Sequence, residues 1–328
     1  MRSQILNLLK QSGNDFLSGE DLAERLNVSR TAIWKHINAL RDSGYDIESV
    51  PRSGYRLINS PDLLSAEEIS TALSTKILGS TIKYFTSTDS TNNQAKKLAM
   101  QGATDGTIVI SEEQLGGRGR LSRMFFSPKY KGIWFSVILR PKFLPQEAPK
   151  CTLLAAVAIA KAIDEATGIK VGIKWPNDIL YNGKKIVGIL TEMNAEMDCV
   201  NYIVIGMGIN VNITSDEMPD DIKETATSLN QIAKKDISRL KLLTSILNNL
   251  EELYLAVQER GFAPIFDEWR KYSITLNQHI KVIGVNDSET FEGVAVDIDN
   301  DGALLVKTNG QIKRVLAGDV SIRPSKNR

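Results

Sequence analysis

Apolar residues along this chain change their spacing twice, and the three stretches so divided are different kinds of structure. Over the first sixty residues the spacing is helical. Ile5, Leu6, Leu8 and Leu9 form an apolar face that the polar run at 12–15 brings to an end. Ser18, with Asp21 three residues on, is a capping-box arrangement that predicts a short helix over 19–26. The turn at 27–29 leads to a longer helix over 30–42, striped by Ile33, Ile37 and Leu40 and stopped by Gly44. Two strands, 45–50 and 55–58, follow as a hairpin, and Pro61 marks a linker.

Between about 65 and 270 helical and strand patterns alternate. Helices are predicted at 65–73, 91–101, 149–167 and 241–260, and strands at 107–111, 132–140, 171–175, 185–193 and 202–210. The last fifty residues hold only short strand patterns: 279–285, 290–297, 303–308 and 311–316. Asn300-Asp301-Gly302 and Asn309-Gly310 are hairpin turns between them. The expected division is therefore an N-terminal helical domain at 1–62, a mixed α/β domain at 63–272 and a small β-barrel at 273–328. The fold class is α+β, multidomain.

Composition narrows the classes. The chain has 328 residues, 42% hydrophobic and 24% charged, with a net charge of +1. That balance excludes a protein that coats nucleic acid indiscriminately, so DNA binding would rest on a local basic face. The two cysteines, Cys151 and Cys199, form no CxxC and have no histidine at metal-ligand spacing. No disulfide scaffold or metal site is expected. The most apolar stretch, 152–163, is about three helical turns, whereas a membrane span needs roughly 20 residues. With an amphipathic opening helix and no signal-peptide pattern, a cytoplasmic location without membrane contact is expected.

A helix, a three-residue turn and a second helix can lay that second helix in the major groove. The helix over 30–42 presents Ser29, Arg30, Thr31, Trp34, Lys35, Asn38 and Arg41 away from its apolar stripe, and the hairpin adds Arg52 and Arg56 as a basic wing. Ser29, Arg30, Thr31, Lys35, Asn38 and Arg52 are the candidate DNA contacts. A protein-binding or purely structural helical domain fits the same pattern. The acids Glu20, Asp21 and Glu24 sit on the preceding helix, which favours the DNA reading.

The sharpest chemical feature is Gly116-Gly117-Arg118-Gly119-Arg120, with Arg123 just beyond. Glycines let successive backbone amides close on an anion, and the guanidiniums add charge that does not titrate. Alone, the run is equally a flexible basic loop, an RNA-binding glycine–arginine tract or a phosphate site. Further on, Lys174-Trp175-Pro176-Asn177-Asp178 ends one strand and Lys184-Lys185-Ile186-Val187-Gly188-Ile189-Leu190-Thr191-Glu192 begins the next. Gly188 behind Lys185 removes a side chain where a ligand could approach. Asp89-Ser90-Thr91-Asn92 caps a helix or supplies small hydrogen-bonding groups. Gly206-Met207-Gly208 hints at a dinucleotide turn, but the third glycine is missing.

These motifs, with Gln114 and with Gly206 to Val211, stand in the order seen in biotin–protein ligases. The helical domain in front and the barrel behind make the whole chain resemble the bifunctional bacterial form, the biotin operon repressor. The resemblance implies a winged helix-turn-helix, a central ligase domain of the class II synthetase-like type and a C-terminal SH3-like β-barrel. It implies biotin and ATP with Mg²⁺ as the small molecules, and adenylation of biotin followed by transfer to a lysine of a biotin carboxyl carrier domain. That acceptor would belong to acetyl-CoA carboxylase, pyruvate carboxylase or both. Operator DNA and a homodimer promoted by biotinyl-5′-AMP are the other implied partners.

By the same resemblance Ser90, Thr91, Asn92, Gln114, Arg118, Gly119, Arg120 and Lys185 hold biotin. Arg120, Arg123 and Lys185 meet carboxylate and phosphate. Asp178 is a candidate to receive the acceptor proton, or simply organises the strand end. Phe125, Gly188 and Asn210 address the adenine, and residues 212–228 order over the adenylate. Family members often carry Trp just after the basic loop, where this chain has Met124-Phe125-Phe126. Alternatives are a transcription factor that senses a metabolite without chemistry and a ligase for a related acid such as lipoate.

Overall fold

The computed structural model describes residues 1–42, 44–60, 62–284, 290–317 and 321–324. Pro61 and Val285, expected in the linker and at a strand end, lie outside the described residues. The chain forms two compact units, Met1–Leu73 and Ser74–Arg328.

The first unit contains α1 (Arg2–Gln11), α2 (Gly19–Leu26), α3 (Arg30–Asp42), the strands β1 (Asp46–Val50) and β2 (Gly54–Asn59), and α4 (Ala66–Ala72). Its core is the set the helical spacing selects: Ile5, Leu6, Leu9, Leu22, Ile33, Ile37 and Leu40, joined by Tyr45 and Ile47. Ser18 caps α2 by accepting from the Asp21 amide at 2.9 Å. Asn27 takes the left-handed conformation that ends the helix, and the Ser29 hydroxyl accepts from the Ala32 amide at the start of α3. β1 and β2 pair antiparallel. The stretch at 65–73, expected to open the ligase segment, instead belongs to this unit. Its Ile69 is fully buried, Glu67 pairs with Arg2, and the buried Glu68 carboxylate takes the Lys10 ammonium.

The second unit is built on a seven-stranded sheet. Its elements in chain order are β3 (Ile82–Phe85), α5 (Thr91–Met100), β4 (Thr107–Ser111), β5 (Gly132–Leu139), α6 (Cys151–Thr167), β6 (Gly172–Lys174), β7 (Asp178–Tyr181), β8 (Lys184–Ala195), β9 (Val200–Asn210), α7 (Leu229–Ala233), α8 (Arg239–Arg260) and α9 (Ala263–Tyr272). The strand order is β3-β4-β5-β9-β8-β7-β6, with β3 and β4 parallel and the other neighbours antiparallel. β4 and β5 are apolar at nearly every position because both their faces are buried. α6 is the apolar stretch noted above, buried against α8, α9 and the sheet. No described helix is long and apolar enough to cross a membrane.

After α9 come β10 (His279–Ile283), β11 (Phe291–Ile298), β12 (Leu304–Thr308), β13 (Gln311–Val315) and β14 (Ser321–Pro324). They form a five-stranded antiparallel sheet in the order β13-β12-β11-β10-β14. Buried Trp175 fastens this sheet to the central one: its amide donates to Thr275 Oγ1 at 2.9 Å and its indole to the Gly302 carbonyl at 3.1 Å.

One ion pair locks the central layers together. Arg239, the first residue of α8, meets Glu112 at 2.6 Å with both side chains fully buried, and it also donates to the Gly132 carbonyl. Removing one partner strands a desolvated charge, so Arg239→Ala should destabilise the unit by about 3–5 kcal/mol. Denaturant unfolding followed by circular dichroism measures this; a loss below about 1 kcal/mol would show the pair to be expendable.

Candidate active site

Strand register lines up the separate motifs. Pairings run Lys174–Asp178 between β6 and β7, Asp178–Gly188 between β7 and β8, Gly188–Gly208 between β8 and β9, and Gly208–Trp134 between β9 and β5. Partners in register point to the same face, so these residues form one row across the sheet. Gly206 lies in the next row of that face, paired with Leu190 on one side and Ser136 on the other. The result is a cleft, part of it open to solvent.

The glycines form its floor. A Cβ on Gly188 or Gly208 would lie 2.8 or 2.7 Å from the Phe125 ring, and one on Gly206 would lie 2.0 Å from Asn92 Oδ1. The Gly-Met-Gly run is therefore a strand whose glycines face the cleft, and the dinucleotide-turn reading is set aside. Phe125 rests on this floor, edge-on to Trp134 at 5.9 Å.

The start of α5 supplies a buried polar wall. Ser90 stands at the N-cap position without a capping side-chain bond. Thr91 donates from its amide and hydroxyl to Gln114 Oε1 at 2.8 and 3.1 Å, and Gln114 Nε2 donates to Ser127. Asn92 Nδ2 donates to Glu192 at 2.8 Å, and its Oδ1 accepts from Ser136 at 2.6 Å. Asp89 sets the turn. Burial would raise its pKa, but bonds donated by Asn93, Gln94 and the Ser90 amide outweigh this and hold the carboxyl well below the usual range.

Cations gather on the other side. Lys185 Nζ lies 2.6 Å from Asp178 Oδ1 and 5.5 Å from the Phe125 ring centroid, so it points into the cleft. Arg118 donates to Asn93, and Arg120 donates to Asn177 Oδ1 at 3.2 Å and to the Ala317 carbonyl. Arg123 is exposed at the mouth. Lys174 is pushed below the usual lysine range, first by burial and then by Lys185, Arg323 and Arg123, with Asp178 acting against them.

Ser90, Thr91, Asn92, Gln114, Arg118, Gly119, Arg120, Arg123, Phe125, Asp178, Lys185 and Gly188 all line this one cleft. Asn210 is outside its lining. At the end of β9 its buried carboxamide donates to the Thr227 carbonyl at 3.0 Å. That bond anchors the 212–228 segment, which Lys185 also holds: its amide donates to the Thr225 carbonyl and its carbonyl accepts from the Thr227 amide. Lys174, Ser136, Gly206 and Gly208 are cleft-face residues that sequence reasoning gave no role. For the two glycines the signal was a period of two inside an apolar strand; Ser136 carried none.

The candidate DNA contacts lie in the first unit. Ser29, Arg30, Thr31, Lys35 and Arg52 are exposed, and Asn38 is half-buried, accepting from Arg41 at 3.4 Å. Two residues of the expected basic face turn inward. Arg41 donates twice to the Ile47 carbonyl. Arg56 pairs with Glu48 at 2.6 Å and lies over the Phe16 ring.

Comparison with known proteins agrees along the whole chain. Residues 84–210 match the Biotin/lipoate A/B protein ligase family, residues 2–56 an HTH domain and residues 275–323 the Biotin protein ligase C terminal domain. The bifunctional ligase/repressor BirA of Bacillus subtilis (strain 168) is 44% identical over 322 residues, 98% of each chain. Its namesake from Escherichia coli (strain K12) is 32% identical over 95% of this chain and 94% of that one. The structure of biotin protein ligase from Aquifex aeolicus in complex with biotin and ATP superposes with a TM-score of 0.66 at 29% identity, covering 75% of this chain and all of that one. Matched over nearly its full length, the protein belongs to the family of bifunctional ligase/repressors.

Proposed function

We propose that this chain adenylates biotin with ATP, transfers biotin to a lysine of a biotin carboxyl carrier domain, and represses biotin genes by binding operator DNA. The observation that carries the catalytic half is the single cleft in which the buried polar wall, the glycine floor and the arginine–lysine cluster meet. The acceptor belongs to acetyl-CoA carboxylase, pyruvate carboxylase or both, and the reaction takes place in the cytoplasm.

In the first step a biotin carboxylate oxygen attacks the α-phosphorus of ATP and the bond to pyrophosphate breaks. Two anions must approach, so fixed positive charge is the main requirement. Ser90, Thr91, Asn92 and Gln114 hold biotin's polar end, and the glycine floor admits its apolar body. Arg118, Gly119 and Arg120 close over it. Lys185, Arg120 and Arg123 hold the carboxylate and phosphate together, and Mg²⁺ carried by ATP offsets phosphate charge. Lys185 then exchanges its Asp178 partner for the ligand's anion. The guanidiniums stay charged at any working pH, so their share of the electrostatic field does not depend on protonation.

In the second step the acceptor amine attacks the acyl carbon of biotinyl-5′-AMP, forming the amide and releasing AMP. Asp178, freed from Lys185, receives the amine proton. Phe125 stacks on the adenine above Gly188 and Gly208. Asn210 acts on the same group indirectly, through the 212–228 segment it anchors. DNA binding falls to the first unit, which extends through α4, with Ser29, Arg30, Thr31, Lys35, Asn38 and Arg52 at the duplex.

Lys185→Ala should lower the rate of pyrophosphate release by at least ~100-fold while the protein stays folded. Near-normal release in that variant removes Lys185 from the site. Gly206→Ala places a methyl on Asn92 Oδ1 and should raise the Kd for biotin roughly tenfold, read by calorimetry; unchanged affinity would show that Asn92 does not touch biotin. Biotinyl-5′-AMP should promote dimerisation and tighten DNA binding, since paired winged helices engage two half-sites. Sedimentation and DNA titration with and without the adenylate check this, and equal DNA affinity in both would contradict it.

A further inference from the structure

α3 exposes one large aromatic side chain. Trp34 is 55% accessible, beyond the buried stripe of Ile33, Ile37 and Leu40. Thr31, Trp34, Lys35 and Asn38 follow one another at the spacing that puts residues on one side of a helix, and the first three are exposed. Arg30 and Arg52 are exposed as well, whereas Arg41 and Arg56 spend their guanidiniums inside the unit. The outward face of α3 is therefore an indole among free-standing cations, with Glu20 and Glu24 kept on α2.

We propose that Trp34 reads sequence in the major groove by packing its ring on the C5-methyl group of a thymine. The inference rests on the DNA-binding reading above and deepens it. Charge decides the occupant: an apolar surface ringed by Arg30, Lys35 and Arg52 suits a polyanion that also displays apolar groups. In duplex DNA the thymine methyl is the apolar group on the major-groove edge. Cations on phosphates give affinity without sequence information. Trp34 lies in the N-terminal half of α3, the half that faces base edges when such a helix enters the groove. Its ring has few rotatable bonds, so little entropy is lost on contact.

The test uses the full chain with biotinyl-5′-AMP. A preferred duplex is first selected from a random library with the unmodified protein. Thymines are then replaced singly by deoxyuridine, which deletes only the methyl group, and binding is followed by fluorescence anisotropy at several salt concentrations. With Trp34 present, one thymine in each half-site should show a loss of about fourfold on replacement. Trp34→Ala should bind the selected duplex several-fold more weakly, become indifferent to that replacement, and keep the slope of affinity against salt. Lys35→Ala, a phosphate-type change, should instead lower that slope by about one. Trp34→Phe provides a second variant with a smaller ring, expected to fall between the two. The proposal is overturned if Trp34→Ala keeps the affinity and uracil profile of the unmodified protein, or if it weakens dimer formation and leaves the DNA contacts intact. Failure of the unmodified protein to enrich any sequence overturns the repressor reading itself, and this proposal with it.

Discussion

The catalytic unit depends on the register of its sheet. Antiparallel pairing lines up Lys174, Asp178, Gly188, Gly208 and Trp134 in one row. A slip of one residue in any strand would turn its part of the row to the opposite face. Core packing and site geometry are thus one constraint. The alternation that turns Ile133, Phe135, Val137 and Leu139 of β5 to one face is the same one that turns Trp134 and Ser136 to the other, the face that carries the cleft. Arg239 and Glu112 reinforce it from the layer above, because a buried charge pair tolerates little relative movement.

Within that frame the cleft separates two kinds of polar chemistry. The Thr91–Gln114–Ser127 and Ser136–Asn92–Glu192 chains are neutral or internally compensated, and their hydrogen bonds fix each other's orientation. The opposite wall is cationic: Lys174, Lys185, Arg120 and Arg123 line it, Asp178 meets Lys185, and burial, seconded by Lys185, Arg323 and Arg123, holds the Lys174 pKa down. An enzyme that brings a carboxylate to a phosphate needs this asymmetry: one wall recognises a neutral shape while the other supplies field. Reading DNA makes a parallel division in the first unit, where the internal pairs of Arg41 and Arg56 stiffen the scaffold and leave Arg30, Lys35 and Arg52 outward.

Most of the fold was legible because its signals are local. Ile33, Ile37 and Leu40 at helical spacing, Ser18 ahead of Asp21, and the Asn309-Gly310 turn with both residues at positive φ act within a few residues of themselves. The helix at 66–72 was equally legible as a helix, but its attachment to α1 was not. That depends on Lys10 meeting Glu68, 58 positions apart. Within the cleft, residues carried by a dense motif stood out, whereas Ser136 did not, since a serine in an apolar strand signals nothing until its neighbours are known. Asn210 is the converse case: its motif position drew attention, yet its carboxamide is spent on Thr227.

By itself the sequence determined the chemistry on offer and the family. Three arginines among glycines carry permanent charge wherever the loop goes, and the ordered motifs match relatives over nearly the whole chain. Tertiary structure alone decided which of those groups act together. It set Lys185 against Asp178, made a floor of three glycines from two strands, buried Lys174 enough to weaken its hold on a proton, and turned Arg56 inward while leaving Trp34 out. The physical reason is that charge, capping and periodicity belong to a residue and its near neighbours. Register, desolvation and pairing belong to contacts between residues far apart in the chain.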